Sequence, residues 1–156
     1  MKILMIGDDP GVTTKEADEI VRAGVDEIVT GGPFDQIYLT GALECVPREY
    51  VVDRLRGWAF LLADLGELHV RVPSLEWATK EIAVSDSPKA LAYRWIYGTP
   101  ERIHRSGFTL LWLRLALLNA GYNVRRATQL VVKVGDVPAL ENYAIAVWKG
   151  SDEANA

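Results

Sequence analysis

Residues 34–47 read FDQIYLTGALECVP, and this stretch decides the fold. Its first half, residues 34–39, has the apolar and aromatic composition of a buried strand. Thr40 and Gly41 end that strand, and Pro47 suits the first turn of a following helix. Open α/β sheets bind ligands just beyond the carboxyl ends of their strands, so we expect a ligand site at this corner.

The composition around this stretch is that of an ordinary globular domain. Apolar residues make up 49% of the 156 residues and charged residues 24%. We therefore expect one domain over residues 1–150 and a loose tail over residues 151–156. The net charge of -4 argues against a nucleic-acid partner, and the longest apolar run, residues 108–120, is too short for a membrane span. The lone Cys45 indicates a reducing, cytoplasmic location.

Towards the N-terminus, residues 2–6 form a continuous apolar run that predicts a buried strand ending at Gly7. In the next segment, apolar and small residues recur at helical spacing: Ala17, Ile20, Val21, Gly24, Val25 and Ile28. The spacing favours a helix, with Thr13 or Thr14 as its N-cap and residues 31–32 as its end. A short strand at residues 20–21 or 28–29 is the alternative interpretation.

Towards the C-terminus, the pattern predicts helices and strands in alternation. The predicted elements are a helix from Pro47 to Gly66, a strand over residues 68–72, a helix capped by Ser74, a helix from Ser87-Pro88 to Gly98 and a helix from Thr109 to Gly121. In the strand, His69 and Arg71 lie on the polar face. Residues 124–134 and 143–148 predict an antiparallel pair at a sheet edge. The order predicts an α/β sandwich with a mostly parallel sheet and an antiparallel final strand.

Six short motifs follow one another in a recognisable order. They are FDQIY at 34–38, LECVPRE at 43–49, GELHVRVPSL at 66–75, IYG at 96–98, HRSGFT at 104–109 and NAGY at 119–122. They resemble the runs FDEIY, LEHVPRE, GGRLYISVPDL, IYGG, HKSGFT and EEAGF of the class I S-adenosylmethionine-dependent methyltransferases, in particular the small type 11-like members. The resemblance covers the chain from residue 34 onward.

This resemblance implies a three-layer Rossmann-like sheet, truncated near the N-terminus, and transfer of a methyl group to a small-molecule acceptor. It implies S-adenosylmethionine as the cofactor, with Gly7 and Asp8 as the remnant of the cofactor loop. Thr40, Gly41 and Ala42 then stand where the family faces the cofactor. A plain strand-to-helix turn is the alternative for Gly7 and Asp8.

His104 matches a histidine that the family carries, and it would act as a base or orient the substrate. Its alternative role is to hold the loop through a carbonyl. Cys45 stands where the family usually has a histidine, and we interpret it as a small buried residue. With one cysteine and two histidines, the sequence offers no zinc site.

The first quarter of the chain departs from the family pattern. Only Gly7 and Gly11 remain of the glycine-rich loop, and the segment from Gly11 to Phe34 is too short for a helix-strand-helix-strand unit. The acids available to hold the cofactor's ribose are Asp18, Glu19, Asp26 and Glu27, and all fall on the polar face of the predicted helix. We therefore expect no obvious ribose-binding acid. A second hypothesis follows, in which the domain is a non-catalytic binding or assembly module that forms a homo-oligomer.

Overall fold

The computed structural model describes residues 1–11, 16–84 and 90–149, which form both strands and helices. In chain order they are β1 (Lys2–Gly7), β2 (Glu19–Ala23), β3 (Phe34–Thr40), α1 (Val51–Ala59), β4 (Leu62–Pro73), α2 (Leu75–Val84), α3 (Ala90–Tyr97), β5 (Gly98–Thr99), β6 (Arg102–Ile103), α4 (Leu110–Ala120), β7 (Tyr122–Val134) and β8 (Val137–Trp148). Two short 3-10 helices, Leu43–Cys45 and Arg48–Tyr50, lie between β3 and α1.

The strands form a six-stranded sheet in the order β2-β1-β3-β4-β8-β7, beside a separate β5–β6 pair. Strands β1 to β4 pair parallel to one another, and β8 pairs antiparallel with both β4 and β7. The predicted α/β fold, mostly parallel with an antiparallel final strand, is confirmed. Parallel pairing places the carboxyl ends of β1, β2, β3 and β4 at one edge of the sheet.

The main core lies on the face of the sheet that α1 and α4 cover. Leu4, Ile37 and Leu68 from three neighbouring strands are buried there against apolar side chains of both helices. Helix α4 begins and ends as predicted: the Thr109 side chain accepts a hydrogen bond from Trp112 N, and Gly121 ends the helix at a φ of 106°. Such a left-handed end favours glycine.

The other face of the sheet carries a smaller cluster with a polar side. His69 stacks on Tyr38 with ring centroids 4.5 Å apart, and its ring nitrogens lie 2.7 Å from Tyr143 Oη and 3.0 Å from a Glu67 carboxylate oxygen. The alternation of residues 68–72 predicts this polar face. His69 is nevertheless buried, because its two aromatic neighbours cover it.

The helix favoured over residues 13–31 is wrong in the described part, where β2 forms instead. Strand β1 offers a free edge, and Ile20 and Val21 pair in parallel register with Ile3 and Leu4. Backbone pairing therefore outweighs the helical spacing of the side chains. Ile28 is 94% exposed and lies in no strand, so the pattern that included it does not mark a buried face. Thr13 and Thr14 lie outside the described residues.

The helix predicted from Pro47 to Gly66 is too long at both ends. Pro47 precedes the 3-10 helix Arg48–Tyr50, and α1 begins only at Val51. Helix α1 ends at Ala59, because the chain then turns back to the sheet: Phe34 N donates to the Leu61 carbonyl at 2.7 Å. Strand β4 consequently starts at Leu62, six residues earlier than the predicted strand.

The predicted cap of α2 and the predicted pairing of the final two strands are confirmed. Ser74 caps α2 by accepting a hydrogen bond from Trp77 N at 3.1 Å. The final two strands pair as predicted, although Val137 and Pro138 belong to β8 and not to the connection. Residues Ser87 and Pro88 and the tail from residue 151 lie outside the described residues. No helix in the described ranges is long and apolar enough to cross a membrane.

Candidate functional site

The first strand and the third strand meet closely at the carboxyl edge of the sheet. Gly7 has a φ of 89°, and a Cβ added there would collide with the Thr40 carbonyl oxygen. That same oxygen accepts a hydrogen bond from Asp8 N at 2.6 Å. Since only glycine fits this conformation and this close approach, Gly7 sets the position of Asp8 beyond the strand.

Asp8 lies over Gly41 and binds an arginine from a distant part of the chain. Gly41 has a φ of 62°, and a Cβ there would occupy the place of Asp8 Oδ2. Oδ2 in turn lies 2.6 Å from Nη1 of Arg102, which comes from β6. Both side chains are partly exposed, so this ion pair borders open space.

Two cavities adjoin at this ion pair. Cavity A, of about 670 Å³, includes Gly7, the segment from Arg22 to Glu27, Cys45 and Arg105 in its lining. Cavity B, of about 600 Å³, includes Asp8, Thr40, Glu44, Trp95 and His104. Gly41, Glu101 and Arg102 line both cavities. The predicted corner at residues 34–47 thus forms the common wall of two sites.

Cavity A brings two acids to the carboxyl end of β2. Asp26 and Glu27 follow that strand by three and four residues and line the cavity. Asp26 is held by Arg54, whose Nη2 lies 2.7 Å from Asp26 Oδ1 and whose Nη1 donates to the Val25 carbonyl at 3.0 Å. Glu27 forms no ion pair among the described residues, so its carboxylate is available to a ligand.

The structure places two of the candidate acids, Asp26 and Glu27, in the lining of cavity A. It also separates the four candidates. Asp18 binds the Met1 ammonium group, and Glu19 lies 3.4 Å from Lys2 at the amino end of β2, away from the cavities. Asp26 and Glu27 lie at the carboxyl edge of the sheet, in the lining of cavity A. In the sequence, both acids fall on the polar face of a predicted helix, so their position in the lining of cavity A is not predicted.

Glu44 is the most deeply buried acid in cavity B. Its residue is only 3% exposed, and Oε2 has no hydrogen-bond partner among the described residues. Burial raises the pKa of Glu44 to about 8. The carboxyl group is consequently neutral over most of the physiological range, and it can donate a hydrogen bond into the cavity.

His104 faces Glu44 from the loop after β6. Its Nδ1 lies 3.0 Å from the Trp95 carbonyl oxygen, which can only accept, so Nδ1 carries a proton. Its Nε2 then presents a lone pair, 3.9 Å from Glu44 Oε1. Burial lowers the pKa of His104, and the positive charges of Arg102 and Arg94 lower it further. His104 binds a carbonyl in the last turn of α3 and also lines the cavity, so this geometry is compatible with both interpretations.

The other predicted site residues divide between the cavities and the core. Thr40 lines cavity B, and Gly41 lines both cavities. Ala42 lines neither, since its side chain is buried in the main core. Cys45, interpreted from the sequence as a small buried residue, is only half-buried and lines cavity A, where partial burial raises the pKa of its thiol to about 11.

Cavity B also contains charged residues that sequence reasoning did not single out for the site. Arg71 lies 2.6 Å from Glu141 and donates to the Pro10 carbonyl at 2.9 Å, while its Nε has no partner among the described residues. Arg94 lines the cavity without an ion pair in the described part of the chain. The sequence signal for these residues is weak, because Arg71 and Glu141 become neighbours only through the pairing of β4 with β8.

Solved structures share this architecture, although no family model and no curated protein matches the sequence. An S-adenosylmethionine-dependent methyltransferase from Mesorhizobium loti matches with a TM-score of 0.63 at 12% identity, over 93% of this chain and 90% of that chain. The 1,6-didemethyltoxoflavin-N1-methyltransferase of Burkholderia thailandensis matches with a TM-score of 0.62 at 16% identity, over 94% and 70%.

A third structure, an S-adenosylmethionine-dependent methyltransferase from Methanosarcina mazei, matches with a TM-score of 0.59 at 13% identity, over 94% of this chain and 92% of that chain. Identities this low establish the fold. The chain has the fold of the class I S-adenosylmethionine-dependent methyltransferases, and the resemblance predicted from the motifs is confirmed at that level.

Proposed function

We propose that the protein is an S-adenosylmethionine-dependent methyltransferase that acts on a small-molecule acceptor. The cofactor occupies cavity A, and the acceptor occupies cavity B. The observation that carries this proposal is the junction of the two cavities at Gly41 and the Asp8–Arg102 ion pair. A transfer between two bound molecules needs two adjoining sites that hold donor and acceptor in line.

The residues of cavity A suit the separate parts of the cofactor. Gly7 lines the cavity at the end of β1, and Glu27 and Asp26 supply carboxylates for the ribose hydroxyls after β2. At the border with cavity B, Arg102, which lines both cavities, and Asp8, which lines cavity B, offer one positive and one negative group, which complement the carboxylate and ammonium of an α-amino acid. When bound, the cofactor supplies an electrophilic methyl group on a sulfonium.

The chain's own contribution is mainly positioning. Gly7 and Gly41 leave room for the Thr40 carbonyl and for Asp8, and the ion pair fixes the loop after β1 against β6. Glu44 and His104 stand on the acceptor side, where a proton must leave the acceptor. Few acid–base groups are required for such a reaction, because transfer from a sulfonium depends mainly on positioning.

Similar structures support the choice of cofactor. Those from Burkholderia thailandensis and Bradyrhizobium japonicum, an N-methyltransferase, contain S-adenosylhomocysteine, and the former also contains its small-molecule substrate. The alternative of a non-catalytic assembly module is not favoured, because both cavities and the acids of β2 are present. We also infer a cytoplasmic location from the single Cys45.

Calorimetric titration with S-adenosylmethionine and with S-adenosylhomocysteine tests the proposal. We expect saturable binding of both, with affinity reduced by Glu27→Gln and unchanged by Glu19→Gln, which alters the same strand at its opposite end. The absence of binding at millimolar ligand, in protein shown to be folded by circular dichroism, would overturn it.

A further inference from the structure

Two buried groups in cavity B have unmet hydrogen-bonding capacity and face each other. Glu44 Oε2 has no partner among the described residues, and His104 Nε2 makes no hydrogen bond, since its distance of 3.9 Å to Glu44 Oε1 is too long for one. Their side chains are only 4% and 10% exposed. Buried polar groups are normally satisfied, so this pair points to a ligand group that completes both.

The protonation states define what that group must be. The Nδ1 bond to the Trp95 carbonyl leaves Nε2 as an acceptor, so the ligand must donate to it. A neutral Glu44 carboxyl has a hydrogen to give, so the ligand must also accept. One ligand oxygen about 2.8 Å from Nε2 and from Glu44 Oε1 meets both requirements across the 3.9 Å between those two atoms.

A hydroxyl group is both donor and acceptor, whereas an ammonium only donates and a carboxylate only accepts. The charges around Glu44 and His104 also favour a hydroxyl group over an ammonium group. Arg102 and Arg94 place positive charge near His104, which disfavours a cationic ligand and stabilises negative charge on an oxygen. The other acids that line the cavity are Asp8, Glu101 and Glu141. Asp8 and Glu141 are each paired with an arginine at 2.6 Å, and Glu101 is exposed.

The shape of the cavity adds a preference for a flat molecule. Trp95 lines it and is fixed at its indole nitrogen, which donates to the Leu140 carbonyl at 2.8 Å. The ring is held further by an edge contact with Trp77 at 6.0 Å between centroids. A rigid aromatic wall suits a planar ring.

We propose that cavity B binds a planar, weakly acidic hydroxyl compound, of the phenol or enol class, whose hydroxyl lies between Glu44 and His104. The inference rests on the proposed function in taking this compound as the methyl acceptor. On proton transfer, the O–H bond breaks and its electron pair stays on oxygen, while a new N–H bond forms at Nε2. The products are an imidazolium and an oxyanion. Glu44 and the charge of Arg102 stabilise the oxyanion.

The probe is 4-nitrophenol, whose ionised form absorbs visible light, compared with its methyl ether 4-nitroanisole, which cannot donate. We expect 4-nitrophenol to bind wild-type protein at least about tenfold more tightly, because the ether leaves a buried acceptor unmet. At a pH below the pKa of free 4-nitrophenol, binding should also increase the visible absorbance. The comparison of the two ligands needs no variant.

Variants then identify the groups responsible. His104→Gln should abolish the absorbance increase, and Glu44→Leu, which removes the hydrogen-bond donor, should weaken 4-nitrophenol binding while leaving 4-nitroanisole unchanged. The control is Glu49→Gln at an exposed position, which should behave as wild type. Equal affinity for the two ligands, or an absorbance increase that survives His104→Gln, overturns the inference.

The titrations are repeated with S-adenosylhomocysteine present, which separates this inference from the proposed function. If 4-nitrophenol binds selectively but neither cofactor form binds, the hydroxyl site stands and the proposed function falls. If S-adenosylhomocysteine binds and no preference for the hydroxyl compound is seen, the proposed function stands and the hydroxyl site falls.

Discussion

Asp8 Oδ2 lies 2.6 Å from Arg102 Nη1, although 94 residues separate them in the chain. The contact joins the loop after the first strand to β6, and it stands between the two cavities. The proposed role of this ion pair can be tested with ligands that contain or lack the amino-acid end of the cofactor.

Asp8→Asn and Arg102→Gln should each weaken S-adenosylmethionine binding about tenfold, which corresponds to roughly 1.4 kcal/mol. Each removes one charge that complements the amino-acid end of the cofactor. The measurement is calorimetric titration with S-adenosylmethionine and with 5′-methylthioadenosine, which lacks that end. The affinity for 5′-methylthioadenosine should not change, and an equal loss for both ligands would show that the pair acts on the fold of the cavity and not on the ligand.

The acids after β2 are tested with the ligand that isolates the nucleoside. Glu27→Gln should weaken 5′-methylthioadenosine binding by about tenfold or more, since a hydrogen bond to a charged group contributes roughly 1.5–3 kcal/mol. Asp26→Asn should have a smaller effect, because Arg54 already binds Asp26. Glu19→Gln, at the other end of β2, is the control. A larger loss from Asp26→Asn than from Glu27→Gln would exchange their roles.

Gly7→Ala should destabilise the protein by roughly 2–4 kcal/mol, through left-handed backbone strain together with a steric collision. The collision is with the Thr40 carbonyl oxygen, which is backbone and cannot rotate away. Gly135→Ala provides the matched control, because its φ is 62° but its Cβ would meet nothing within 4 Å. Urea unfolding should therefore give about 1 kcal/mol for the control. Equal losses at both positions would contradict the close approach of β1 and β3.

Glu44 should make the stability of the protein fall as the pH rises. Its pKa is about 8 in the folded protein against an ordinary 4.5, so the folded state binds the proton more tightly. Below pH 4.5 both states are protonated and this contribution is fully present; between 4.5 and 8 the unfolded state ionises first, and stability is lost. Above the folded pKa no further loss occurs.

Glu44→Gln removes that dependence, so the variant should gain on the order of 3 kcal/mol relative to wild type between pH 5 and pH 9. Denaturant unfolding at both pH values measures the difference. The exposed Glu49→Gln variant should show a constant difference from wild type. A constant difference for Glu44→Gln as well would mean that the carboxyl group is solvated.

The sequence predicted those elements whose signals are local. Thr109, Gly121 and Ser74 mark helix ends through their own backbone and side-chain bonds, and all three do so in the structure. The segment around Ile20 was misassigned because its local spacing favours a helix, whereas its strand depends on the edge of β1. A free strand edge is a tertiary feature and leaves no periodic signature in the segment that pairs with it.

The same distinction explains the site. Thr40 and Gly41 were predicted because a strand end and its small residues are adjacent in sequence. Arg102 was not singled out, because only the folded chain brings it to Asp8. The position of Glu27 could not be predicted, because it depends on whether the preceding residues form a strand. Local sequence signals thus predicted Thr40 and Gly41, whereas the positions of Arg102 and Glu27 depend on long-range contacts.

The position of β8 between β4 and β7 has a consequence for the order of assembly during synthesis. Strand β4 carries the Arg71 side chain of the acceptor cavity and keeps one unpaired edge until residues 137–148 leave the ribosome. The nascent chain can therefore form the β1–β4 half and expose that edge to other chains for as long as translation continues. Cells that make this protein would need to shield β4 until the last strand inserts.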